Sequence, residues 1–166
     1  MNNKYTISVL LTKQEDWISK IIYYITGRGY THASIGFDEN DEEFYSFNIK
    51  GFRRERPKKH KDAITQSLCF KLNVSKEEYQ KVVNLIYEFQ EKREAWKYST
   101  LGVILCVLRI PHKRKWHYFC SQFVAEILEK ANIADVPKNT SLCLPNHLID
   151  ILNSRRAMNS VVLNPI

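Results

Sequence analysis

Short segments rich in β-branched and aromatic residues follow one another in this chain with turns or loops between them, and that succession limits the fold more than any other feature. Parallel strands need a crossover of a dozen or more residues, usually a helix, whereas antiparallel strands are joined by tight turns. Tyr5-Thr-Ile-Ser-Val-Leu-Leu11 reads as a buried strand. His32-Ala-Ser-Ile-Gly-Phe37 and Glu43-Phe-Tyr-Ser-Phe-Asn48 read as two more, joined into a hairpin by the acidic turn Asp38 to Asp41. Ser67-Leu-Cys-Phe-Lys-Leu72 alternates as a strand should, with Cys69 facing away from Leu68 and Phe70.

The helical periods lie elsewhere. Gln14 to Thr26 places Trp17, Ile18, Ile21, Ile22 and Ile25 on one side and stops at Gly27-Arg-Gly29. Ser75-Lys-Glu-Glu78 is a capping box opening a helix to about Trp96, with Tyr79, Val82, Val83, Ile86 and Phe89 at helical spacing. Thr100 to Leu108 is a shorter apolar helix ended before Pro111, another begins near Tyr118, and Pro145 starts a last one. Residues 158–163 read as a closing strand, and 50–64 as a basic loop. The fold class is therefore α+β, a small antiparallel sheet packed against segregated helices. A length of 166 residues suits one domain spanning 1–166, and 5 Gly with 5 Pro is too few for a linker-rich or disordered chain.

The longest uncharged apolar run, Leu101 to Leu108, is far short of the ~20 residues a membrane-spanning helix needs. The first twelve residues carry no secretory h-region or cleavage site, so the chain reads as cytoplasmic. The formal charge is +7, from 25 Lys and Arg against 18 Asp and Glu. It is concentrated in Arg53, Arg54, Arg56, Lys58, Lys59 and Lys61, against Glu55 alone, and in Arg109, Lys113, Arg114 and Lys115. Such clusters attract phosphate-bearing partners, whether nucleic acid or an anionic membrane surface, or they merely solvate a loop.

Four cysteines, Cys69, Cys106, Cys120 and Cys143, show neither a CxxC pair nor metal-type spacing with histidine, so no metal or cofactor is expected. A cysteine nucleophile needs its thiolate, which a helix N-terminus or a neighbouring imidazole stabilises. Only Cys120, at the start of the helix near Tyr118, is placed for the first; a packing role is its plainer explanation, and the other three are assigned to packing. Among the histidines, His60 and His112 sit in basic turns and His147 reads as a cap or surface residue. His32, opening a strand, and His117, three residues before Cys120, compete for the role of base, and spacing alone does not choose between them.

Tyr30-Thr-His-Ala-Ser-Ile-Gly-Phe-Asp38 and Tyr118-Phe-Cys-Ser-Gln-Phe-Val-Ala-Glu-Ile-Leu128 resemble the two signature segments of the circularly permuted NlpC-type cysteine peptidases. These form the papain-like branch that holds the YiiX-like proteins and is related to lecithin retinol acyltransferase. The resemblance covers about residues 5–150 and takes in Leu10-Leu-Thr12, Tyr45-Ser-Phe47 and Gly51-Phe52. It implies a permuted papain-like fold with Cys120 as nucleophile and His32 as base. It also implies a third polar residue from the strand after the histidine strand; Ser46 occupies that position, with Glu43 and Asn48 beside it, and serine orients an imidazole more weakly than a carboxylate. Tyr118 matches an aromatic common at such sites, with core packing as the equal alternative.

The resemblance thus implies a thiol hydrolase or acyltransferase acting on an amide or ester carbonyl through an acyl-enzyme. The substrate is expected to be a peptide, a small molecule or a lipid-like compound. Both basic clusters, with Arg114, are expected to flank one cleft and take an anionic group, and Trp116 with residues 101–108 to line an acyl pocket. A non-catalytic ligand-binding module of the same fold is the alternative, motivated by the missing third acidic residue. Nucleic-acid binding is the third reading, weakened by the acidic stretch 38–43 and by the lack of a recognised motif.

Overall fold

A computed structural model describes residues 5–14, 20, 23, 29–59, 64–136, 139–154 and 158–166. Strand β1 (Tyr5–Gln14) alternates as its sequence requires: Ile7, Val9 and Leu11 enter the main core, and Leu10 turns to the opposite face with Phe44 and Cys69. It pairs antiparallel with β2 (His32–Gly36), Val9 opposite Ile35 and Thr12 opposite His32. On its other side it pairs with the long β5 (Ile64–Val74), Val9 opposite Phe70. Strands β3 (Phe44–Asn48) and β4 (Gly51–Glu55) extend the sheet beyond β2. The six strands lie in the order β4-β3-β2-β1-β5-β8, all antiparallel, with β8 (Met158–Leu163) at one edge.

The mixed α+β class with an antiparallel sheet is what the sequence pattern predicts, and Cys69 faces away from Leu68 and Phe70 as expected. One element differs. Residues 51–55 form strand β4, not part of a loop. Arg53, Arg54 and Glu55 mask its period, yet charged side chains are what an edge strand carries to discourage further pairing. The helix expected at Gln14 to Thr26 lies mostly outside the described residues, as does His60; Gln14 itself closes β1.

One sheet face is covered by helices. α1 (Lys76–Glu91) opens with the capping box at Ser75 and Glu78 and stops five residues before Trp96; it contributes Val82, Ile86 and Phe89 to the core. A two-stranded parallel pair, β6 (Lys97–Tyr98) and β7 (His117–Tyr118), brackets α2 (Thr100–Val107). α3 (Cys120–Lys130) is buried from Cys120 through Leu128, and α4 (Pro145–Asn153) adds Leu148, Ile151 and Leu152. A cluster of rings, Phe47, Phe52, Phe89, Trp96, Tyr118 and Phe123, fastens β3 and β4 to α1 and α3 with centroids 4.4 to 5.9 Å apart for its closer pairs. Among the described residues, no helix is long and apolar enough to cross a membrane.

Candidate active site

His32 opens β2 at the end of the sheet and is buried. Its Nε2–H donates to the Glu55 carboxylate, 3.0 Å to Oε2 and 3.2 Å to Oε1, with the two side chains 8% and 18% exposed. The Cys120 thiol stands close enough to the same imidazole to help raise its pKa. Burial by itself pushes the His32 pKa down. The Glu55 carboxylate, through its charge and its hydrogen bond, and the neighbouring Cys120 outweigh it, so the imidazole is held well above its ordinary value.

Cys120 is the first residue of α3, and its N-cap, Phe119, provides no side-chain hydrogen bond to the first turn. The N–H groups of that turn therefore gather at the thiol with the positive end of the helix dipole. The sequence supports the break at this point: Phe119 is extended, Trp116 adopts a left-handed φ of 63°, and β7 fixes the chain between them. Cys120 keeps 4% of its surface exposed. Among the described residues no disulfide forms, and all four cysteines are buried. At Cys69, burial aided by the Asp41 charge pushes the thiol up to about 12, as suits a packing residue.

The structure brings together Cys120 and His32 but puts Glu55, not Ser46, on the imidazole. The Ser46 hydroxyl donates to the Ala33 carbonyl oxygen at 2.6 Å, tying β3 to β2. Glu43 is engaged by Arg54 and Arg56, and Asn48 accepts from the Lys50 N–H at 2.9 Å. Glu55 escaped sequence reasoning because it lies inside what reads as a basic loop. Its signal was chemical, a lone carboxylate among Arg53, Arg54, Arg56, Lys58 and Lys59.

His117 does not share a helical turn with Cys120, because it belongs to β7; its Nδ1–H donates to the Lys115 carbonyl oxygen at 2.9 Å. His147 caps α4, its Nδ1 lying 3.2 Å from the Leu144 N–H nitrogen. Tyr118 donates its hydroxyl to Glu126 Oε1 at 2.8 Å; burial and that bond raise its pKa. Glu126 is in turn held by Lys113 and Lys130, and despite its burial these contacts lower its pKa.

A cleft of about 610 Å³ borders His32 and Glu55, with Leu10, Thr12 and Ser34 on its floor and Lys50, Arg53, Arg54 and Arg56 around it. The first basic cluster thus reaches the site. The second does not: Arg114, Trp116 and Tyr118 are not among the lining residues, and neither is Cys120. Trp116 packs on Trp96, centroids 4.6 Å apart, and Arg114 is exposed. Helix α2 likewise lines no acyl pocket there. It buries Val103 and Cys106 against Phe119 and Leu144 and turns Leu101 and Ile104 to solvent, with exposed Leu108 as its C-cap. Compared with known proteins, the chain matches no family model and no curated sequence.

Proposed function

We propose that this chain is a thiol hydrolase or acyltransferase with Cys120 as nucleophile, His32 as general base and Glu55 as the residue that positions His32. The observation that carries the reading is the single imidazole of His32, which donates to the half-buried Glu55 carboxylate and stands beside a thiol at a helix N-terminus. A neighbouring imidazolium is the environment in which a thiolate forms. With Nε2 held by Glu55, Nδ1 is the nitrogen that exchanges a proton with the thiol.

In the first half-reaction the thiol proton passes to His32 and a bond forms between Cys120 Sγ and the substrate carbonyl carbon. The carbonyl π pair moves onto oxygen, where the first-turn N–H groups of α3 donate to it. As the intermediate collapses, the bond to the leaving amine or alcohol breaks and His32 gives it the proton. Water or a second acceptor then loses a proton to His32, attacks the thioester and regenerates Cys120. The likeness of the His32 and Cys120 segments to the permuted NlpC-type peptidases supports the same assignment and suggests their fold.

One observation favours the alternative, a ligand-binding module without turnover: Cys120 is buried and does not border the cleft. Iodoacetamide separates the two readings. At about pH 6, where free cysteine reacts slowly, the catalytic reading expects Cys120 to be alkylated faster than free cysteine, an excess abolished in His32→Ala. Alkylation no faster than free cysteine, or unchanged in His32→Ala, would leave the binding module.

A further inference from the structure

Two residues that line the cleft beside His32 carry buried hydroxyls that no described residue satisfies. Thr12 and Ser34 are only 2% and 1% exposed, and among the described residues neither Thr12 Oγ1 nor Ser34 Oγ has a hydrogen-bond partner. Buried hydroxyls are nearly always bonded, so a pair of orphans lining one cleft calls for a ligand. They stand on paired strands, Thr12 opposite His32 and Ser34 opposite Leu10, and therefore face the same side of the sheet as the imidazole.

The charge around them is one-sided. Lys50, Arg53, Arg54 and Arg56 line the cleft against Glu55. Glu43 engages Arg54 and Arg56 from outside the lining, and His32 engages Glu55. Among the described residues Lys50 and Arg53 pair with no carboxylate, and the Arg53 guanidinium donates only to the neighbouring Phe52 carbonyl, at 3.3 Å.

We propose that this cleft binds the phosphate group of an anionic ligand, with the Thr12 and Ser34 hydroxyls and the Arg53 guanidinium donating to its oxygens and Lys50 adding charge at the mouth. Two hydroxyls, a planar guanidinium and an ammonium suit the three terminal oxygens of a phosphate better than the two of a carboxylate. A volume of about 610 Å³ leaves room for the rest of the molecule beside His32. The inference rests on the thiol-enzyme reading only in making that ligand a substrate; the binding itself needs no thiol.

The test is calorimetric titration of the full chain with inorganic phosphate, at ionic strength matched with chloride. Saturable one-site binding is expected, equal in Cys120→Ala and weakened about tenfold or more in Arg53→Ala, which loses a charge-assisted hydrogen bond. Ser34→Ala is expected to bind several-fold more weakly while melting no lower than the wild type, because it deletes an unsatisfied buried hydroxyl. Dihexanoyl phosphatidic acid supplies the second arm: tighter binding than inorganic phosphate identifies a lipid headgroup, and equal binding a free phosphomonoester. No saturable binding of either probe, or binding indifferent to both Arg53→Ala and Ser34→Ala, overturns the proposal. Because phosphate binding and Cys120 alkylation are read separately, failure of one is not failure of the other.

Discussion

Glu55, and not Ser46, meets the His32 imidazole, and the two side chains do different work. Ser46 Oγ is a donor inside the sheet, whereas Glu55 is a charge against an imidazole. Ser46→Ala therefore lowers stability by about 1 kcal/mol, seen as a shifted urea midpoint, and leaves Cys120 alkylation unchanged. Glu55→Gln does the reverse at the site, slowing alkylation, because a neutral amide no longer favours the imidazolium. Its stability effect is pH-dependent with a definite sign. The folded His32 pKa lies above the ordinary imidazole value. The contribution is therefore fully present below that ordinary value and is lost as pH rises through the raised one. Urea titrations should show the gap between wild type and Glu55→Gln to be wider at about pH 6 than at about pH 9; a gap that widens with pH contradicts the assignment.

Strand β4 is the element that delivers Glu55, and Gly51 is the position on which it turns. Gly51 has a φ of +91°, and a Cβ there would collide with the Trp96 carbonyl oxygen. Gly51→Ala is expected to destabilise by more than about 1 kcal/mol and to slow Cys120 alkylation as well, since β4 then no longer presents its carboxylate at the same height. Wild-type alkylation in a Gly51→Ala protein that still folds would separate β4 from the site. This element also marks where the sequence stops being legible. Segments whose apolar period is clean, β1, β5, α1 and α4, follow from pattern and capping alone. β4 does not, because an edge strand with Arg53, Arg54 and Glu55 reads as a solvated loop until its partner strand is known. Cys120 stands out in the sequence by its place at a helix start, and His32 is singled out from His117 only by the resemblance of its segment, whereas the His32–Glu55 contact joins β2 to β4, strands that are not neighbours in the sheet.

At the scale of the molecule, the site depends on the sheet and α3 holding their relative position, and the aromatic cluster performs that task. Phe123 of α3 is fully buried and touches the rings of Phe47, Phe52 and Phe89, from β3, β4 and α1. Phe123→Ala is expected to cost about 3–5 kcal/mol and to lower the melting temperature, by calorimetry, by roughly 6–20 °C for a chain of this size. The whole arrangement reduces to one imidazole placed between a thiol from the helical layer and a carboxylate from the sheet. NMR titration of the His32 ring protons measures this directly, with Cys120→Ala and Glu55→Gln titrated alongside. The structure predicts a His32 pKa above the ordinary ~6.5, lowered in each variant. A ring that titrates at the ordinary value, or one that neither substitution moves, would contradict it.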